Sequence, residues 1–95
     1  MIDLDIHTSS EICLNIASKE RVLRKAKGLT QLELSKKSGV SLGSLKRFET
    51  TGQISLSSLT NLAIALDADD DFLTLFSRQR YDSIEDVIRE NSKFK

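Results

Sequence analysis

Proline is missing from this chain altogether, and only four glycines interrupt it. With so few helix breakers, helices are the expected main element. One cysteine, Cys13, excludes an internal disulfide framework and fits a reducing compartment, so a cytoplasmic protein is expected. No apolar run approaches the roughly 20 residues needed to span a membrane. The start, Met1 to Ile6, is acidic and alternating, unlike a secretory signal. The only histidine, His7, lies near Asp3 and Asp5, but no cysteine or second histidine stands at ligand spacing. His7 is read as solvated, a metal site being the alternative; no metal and no cofactor are expected. Asp69-Asp70-Asp71 lacks the glycine and distal glutamate of a calcium loop and is read as a helix cap. On a helix, Cys13 reads as a small apolar residue rather than a nucleophile.

The 95 residues make one domain with one modest core. Their zero net charge hides an asymmetry. From Lys19 to Thr50, nine basic residues face three acids, a net of +6. Residues 1–18 and 51–95 each carry −3. A basic middle between acidic ends suits a nucleic-acid face on one side of the molecule. A solvated charged surface is the alternative.

Ile2, Leu4 and Ile6 alternate with polar residues, which predicts a short strand or extended arm. Ser9 or Ser10 can cap a first helix from about Glu11 to Lys27, with Ile12, Ile16, Leu23 and Ala26 among its apolar residues; Gly28 ends it. Thr30 caps a second helix, and Glu33 completes a capping box. Leu32 and Leu34 are its apolar residues, and Lys36 and Lys37 suit its C-terminal dipole. Gly39 supplies a positive φ for a tight turn. Ser41 then caps a third helix, Leu42 to about Thr50, with Val40, Leu45 and Phe48 pointing to the core. Ser55 caps a fourth, in which Leu56, Leu59, Leu62, Ala63 and Leu66 share one face. Phe72, Leu73, Leu75 and Phe76 follow the aspartates as a short fifth helix. Ser83 to Asp86 opens a further helix with Ile84, Val87 and Ile88 apolar. The expected organisation is an arm at 1–10, a DNA-binding domain at 11–76 and a C-terminal extension at 77–95.

Second helix, glycine turn and third helix together read as a helix-turn-helix, which places its last helix in the DNA major groove. The wider pattern resembles the lambda-repressor-like, or XRE, family of helix-turn-helix regulators. The match is Arg24, Gly28-Leu29-Thr30-Gln31 and Leu34, then Gly39-Val40-Ser41, Leu45 and Phe48-Glu49, then Ser55-Leu56, Leu59, Leu62-Ala63 and Leu66. The resemblance implies an all-α, compact five-helix bundle that works as a dimer on a two-fold symmetric operator. It also implies that Gln31 holds a phosphate and that Arg24 pairs with Glu49. Glu20 departs from the pattern, standing where the family has an apolar residue. Thr50 to Ile54 departs again, where an asparagine-glycine turn is usual. Lys46-Arg47-Phe48-Glu49, Ile54-Ser55-Leu56 and Asp70-Asp71-Phe72 look like a narrower subgroup, the HipB-type antitoxins that partner HipA-like kinase toxins.

The expected DNA-binding residues are Thr30, Gln31, Ser41, Leu42, Gly43, Ser44, Lys46 and Arg47. Arg47 can reach guanine O6 and N7 with two hydrogen bonds. Lys46 reads guanine or clamps phosphate. Ser41 and Ser44 offer short polar contacts. Leu42 touches a thymine methyl or packs in a dimer, and Gly43 reads nothing through a side chain. Thr30 and the free amides at the start of the second helix face phosphate. No partner acid, nucleophile or glycine loop accompanies Glu49, so an enzyme is not expected. Two functions remain open: a dimeric repressor, and an antitoxin that neutralises a kinase toxin while regulating its own operon.

Overall fold

A computed structural model describes residues 7–77. Five helices follow one another: α1 (Ser9–Ala26), α2 (Gln31–Ser38), α3 (Leu42–Thr51), α4 (Leu56–Ala65) and α5 (Asp70–Leu73). Among the described residues there is no strand, and no helix is long and apolar enough to cross a membrane. The alternating segment Ile2–Ile6 and the Ser83–Ile88 segment lie outside the described residues.

Helix α1 starts earlier than the sequence suggests. Thr8, not Ser9 or Ser10, is the N-cap, and its side chain accepts from the Glu11 amide at 3.1 Å. This choice puts an acid in the first turn, at the positive end of the helix. The other end closes with paired bonds, Gly28 N–H to Lys25 O and Leu29 N–H to Arg24 O, the Schellman pattern. The Thr30–Glu33 capping box of α2 is complete in both directions. Helix α5 has no side-chain cap: Asp69 sits at the N-cap position in right-handed helical conformation, and its carboxylate accepts no capping hydrogen bond. The aspartates act there only as first-turn charges, Asp70 and Asp71.

Phe48, Leu34, Leu45 and Leu62 are completely enclosed, with Val40, Ala17, Ala65 and Leu66 around them. Helix α1 packs on α3, and α2 packs on both α3 and α4. The core positions expected on α3 are therefore the observed ones. On α1 the buried stripe is Ala17, Glu20 and Arg24. Ile12 and Ile16 stay substantially exposed, as does Leu32 on α2. Leu56 opens α4 and is 66% exposed, whereas Leu59, Leu62, Ala63 and Leu66 turn inward or stand half-buried. A helix's first residue has no preceding turn to lie against, so periodicity alone overstates its burial.

Gly52 fixes how α1 lies on α3. It caps α3 at φ 80°, and a Cβ there would stand 2.8 Å from the Cys13 carbonyl carbon. Only glycine allows both that conformation and that approach.

Candidate nucleic-acid interface

The turn between α2 and α3 sets the angle at which α3 is presented. Gly39 takes φ 77° and its N–H returns to Ser35 O. Two serines then pin the next residue: Ser35 Oγ donates to Val40 O at 2.6 Å, and Val40 N–H donates to Ser38 Oγ at 3.1 Å. Val40 is thereby held in the core, and Ser41 begins α3 by accepting from the Ser44 amide. The Ser41 hydroxyl also donates to Ser44 Oγ at 2.8 Å.

With Leu45 and Phe48 anchored inward, the opposite side of α3 faces solvent. Ser41, Gly43, Ser44, Lys46 and Arg47 are exposed, and Leu42 is half-buried. Of these, Leu42, Gly43, Lys46 and Arg47 share the side of the helix away from Leu45 and Phe48, and Ser41 and Ser44 stand at its N-terminal end. A Cβ on Gly43 would meet nothing within 4 Å, so this stretch of helix is bare. The Arg47 guanidinium donates from Nη2 to Gln53 Oε1 at 2.6 Å. Gln53, just past the Gly52 cap, was not among the residues expected at the site; its role depends on a turn that a spacing rule does not describe. Thr51 Oγ also bonds back to Arg47 O, stiffening the helix end that carries the guanidinium.

At the start of α2, Thr30 is exposed and Gln31 half-buried. Gln31 does not hang free in solvent. Its Nε2 donates to Glu49 Oε1 at 3.0 Å, tying the beginning of α2 to the end of α3. Glu49 in turn receives Arg24 Nε on Oε2 at 2.8 Å and Nη2 on Oε1 at 3.0 Å. Arg24 Nη1 reaches Leu29 O at 2.9 Å. The pairing of Arg24 with Glu49 is thus present, and Gln31 is its third member. Burial alone would raise the Glu49 carboxyl, but hydrogen bonds from Arg24, Glu20 and Gln31 outweigh it and hold the group below its ordinary value. The Glu49 hydrogen bond raises Arg24 further. Around this frame, Lys36, Lys37, Lys46 and Arg47 are exposed.

The helix-turn-helix family model matches residues 21–73, more than half of the chain. The chain belongs to the lambda-repressor-like, XRE-type helix-turn-helix family. This is a family of DNA-binding transcription regulators. Searches of curated proteins and of solved structures found no match. The family's helix pair corresponds here to α2 and α3, with α1 and α4 as the buttress that buries their inner faces. Among the described residues, no group of three or more histidine, cysteine, aspartate or glutamate side chains could hold a metal ion.

Proposed function

We propose that this helix-turn-helix protein is a sequence-specific, double-stranded DNA-binding repressor that acts in the cytoplasm as a homodimer. The observation that carries the reading is the outer edge of α3, where Ser41, Ser44, Lys46 and Arg47 face solvent while Leu45 and Phe48 lock the helix from behind. Arg47 reads a guanine edge, and Lys46 reads guanine or clamps phosphate. Leu42 lies against a thymine methyl, and Gly43 lets the backbone come close. Ser41 and Ser44 add short polar contacts. Thr30 and Gln31 hold phosphate at the start of α2, whose first amides lack intrahelical partners. The DNA-binding unit is residues 11–76, flanked by an arm at 1–10 and an extension at 77–95. Two copies would present two α3 helices to half-sites about 34–36 Å apart. One or both termini, carrying Ile2, Leu4 and Ile6 or Ile84, Val87 and Ile88, supply the dimer contact. Salt-dependent binding tests the reading: log Kd against log salt should be steep, with about 0.9 per phosphate contacted. Salt-independent binding, or a strict monomer on and off DNA, contradicts it.

A second reading makes the chain a HipB-type antitoxin that also binds a HipA-like kinase toxin. It is favoured by Leu73, Leu75 and Phe76, which are exposed beyond the DNA-binding helices, Phe76 at 96%. Purified protein that forms a stoichiometric complex with a kinase encoded beside its gene, and inhibits it, would support this reading. Failure to bind that kinase would remove it.

A further inference from the structure

Helix α1 carries a carboxyl group inside the bundle. Glu20 is 8% exposed, and it sits between Ala17 and Arg24 on the buried stripe. Both of its oxygens are closed to solvent, and as a carboxylate neither accepts a hydrogen bond. Burying an ionised group without a donor is costly, so the surroundings decide its state.

Those surroundings are few. On α1, Arg24 and Arg21 bear on it electrostatically. Arg24 directs Nε and Nη2 to Glu49 and Nη1 to Leu29 O, and gives Glu20 no hydrogen bond. From α3 comes Glu49, itself an acceptor already engaged by Arg24 and Gln31. From α4 and α5, the groove along the Glu20 stem is lined by leucines with Asp71, and Lys19 of α1 stands on the same groove. The guanidinium that bonds within this cluster, Arg24, is committed to Glu49, so an ionised Glu20 would stand beside a second carboxylate with no donor of its own. A protonated Glu20 removes the conflict, because its O–H would find an acceptor in the neighbouring Glu49, whose Oε1 also receives the Gln31 amide. Burial first, then the hydrogen bond and charge of Glu49, push Glu20 up to about 8.

We propose that Glu20 is a proton-carrying positioning residue: its carboxyl hydrogen, shared with Glu49, holds the Glu49 carboxylate where it anchors the Gln31 amide, so duplex-DNA binding weakens when that proton leaves. The proposal rests on the reading of Gln31 as a phosphate contact. When Glu20 ionises, the proton goes to solvent and a second negative charge appears beside Glu49. Glu49 is repelled from its place, and Gln31 loses its acceptor. The phosphate contact then must be made by an unanchored side chain. Glu20 touches no DNA; it acts through two intermediates, Glu49 and Gln31.

Two measurements on the full chain test this. First, in the absence of DNA, NMR follows the Glu20 and Glu49 carboxyl carbons and the Gln31 side-chain amide from about pH 5 to about pH 9.5. The Gln31 amide should shift with the Glu20 midpoint near pH 8, and should not shift in Glu20→Gln. Glu20→Leu, apolar at the same place, substitutes if the amide variant is unstable. A Gln31 amide that ignores the Glu20 titration, or moves equally in the variants, overturns the proposal. Second, binding of random duplexes of about 30 base pairs is measured over the same range. Wild type should lose about three- to tenfold in affinity across the Glu20 titration, the worth of one hydrogen bond, and Glu20→Gln should not. Equal losses in both overturn the control of binding. No duplex binding by either protein at any pH defeats the reading of α3 as a DNA reader, and the amide titration then decides the coupling of Glu20 to Gln31 by itself.

Discussion

Arg24 and Glu49 are 25 residues apart in sequence and form a two-pronged clasp, Nε to Oε2 at 2.8 Å and Nη2 to Oε1 at 3.0 Å. Their side chains are only 7% and 3% exposed. The clasp joins α1 to the last turns of α3, and through Gln31 it reaches the first turn of α2. One ion pair thereby ties together the three helices that set the attitude of the candidate DNA-reading edge.

Removing one partner strands the other in the interior. Arg24→Met should cost about 3–5 kcal/mol and lower the Tm clearly. It should be worse than Glu49→Met, because it leaves Glu49 beside Glu20 with no cation donating to either. Thermal denaturation of both single variants and the double variant checks this. A double-mutant cycle without coupling contradicts the clasp.

Stability should depend on pH through Glu20. Its folded value, about 8, lies above the ordinary 4.5. The folded state then keeps a proton that the unfolded state has released, so stability falls as pH rises. The contribution is complete below about 4.5 and is lost as pH rises through about 8. Glu49 runs the other way: its value is lowered on folding, so its contribution is lost as pH falls below the ordinary carboxylate range. Stability should therefore peak on the acidic side of neutrality and fall toward about pH 8, by roughly 1 kcal/mol per pH unit within the window, read as a falling Tm. Glu20→Leu should flatten that decline. A wild-type Tm that is level from about pH 5 to about pH 9 counts against the buried proton.

Much of the site's scaffold is legible in the sequence, because it is built from short-range chemistry. Thr30 with Glu33, Gly39 and Ser41 each act within one turn of themselves, and Val40, Leu45 and Phe48 follow the helical period. The first cap is different. Thr8, Ser9 and Ser10 are all good caps, so local preference alone does not choose among three neighbours. The α1 stripe is hidden for another reason: two of its three buried residues, Glu20 and Arg24, are polar residue types, and a hydrophobic pattern passes over them. The clasp itself was expected from the family resemblance rather than from spacing. The partners of Gln31 and Arg47 depend on how the chain returns, Glu49 from the far end of α3 and Gln53 from beyond Gly52. No sequence interval signals either contact.

Gly52→Ala should damage the fold. The added Cβ would meet the α1 backbone at 2.8 Å, at a φ that side chains rarely adopt. A loss of about 1–3 kcal/mol is expected, read as a lower midpoint in urea. An unchanged midpoint would mean that α1 does not press on this cap.

Gly43→Ala separates stability from binding. The position is open, so alanine should stabilise α3 by about 0.5–1 kcal/mol. On DNA the same methyl group would stand where the helix comes closest to the groove, and affinity should fall. A variant that is both more stable and an equal or better DNA binder shows that α3 does not approach DNA at Gly43.

The most direct test of the account is duplex selection with the purified protein, followed by affinity measurements on the selected sequence and a scrambled one. Wild type should enrich a two-fold symmetric sequence and bind it more tightly than the scrambled duplex. Arg47→Ala should lose about 1–3 kcal/mol of that preference, while Gln31→Ala weakens both duplexes alike. Failure to enrich any duplex, or an Arg47→Ala variant as selective as wild type, would contradict the assignment of the outer edge of α3 as the reader of DNA.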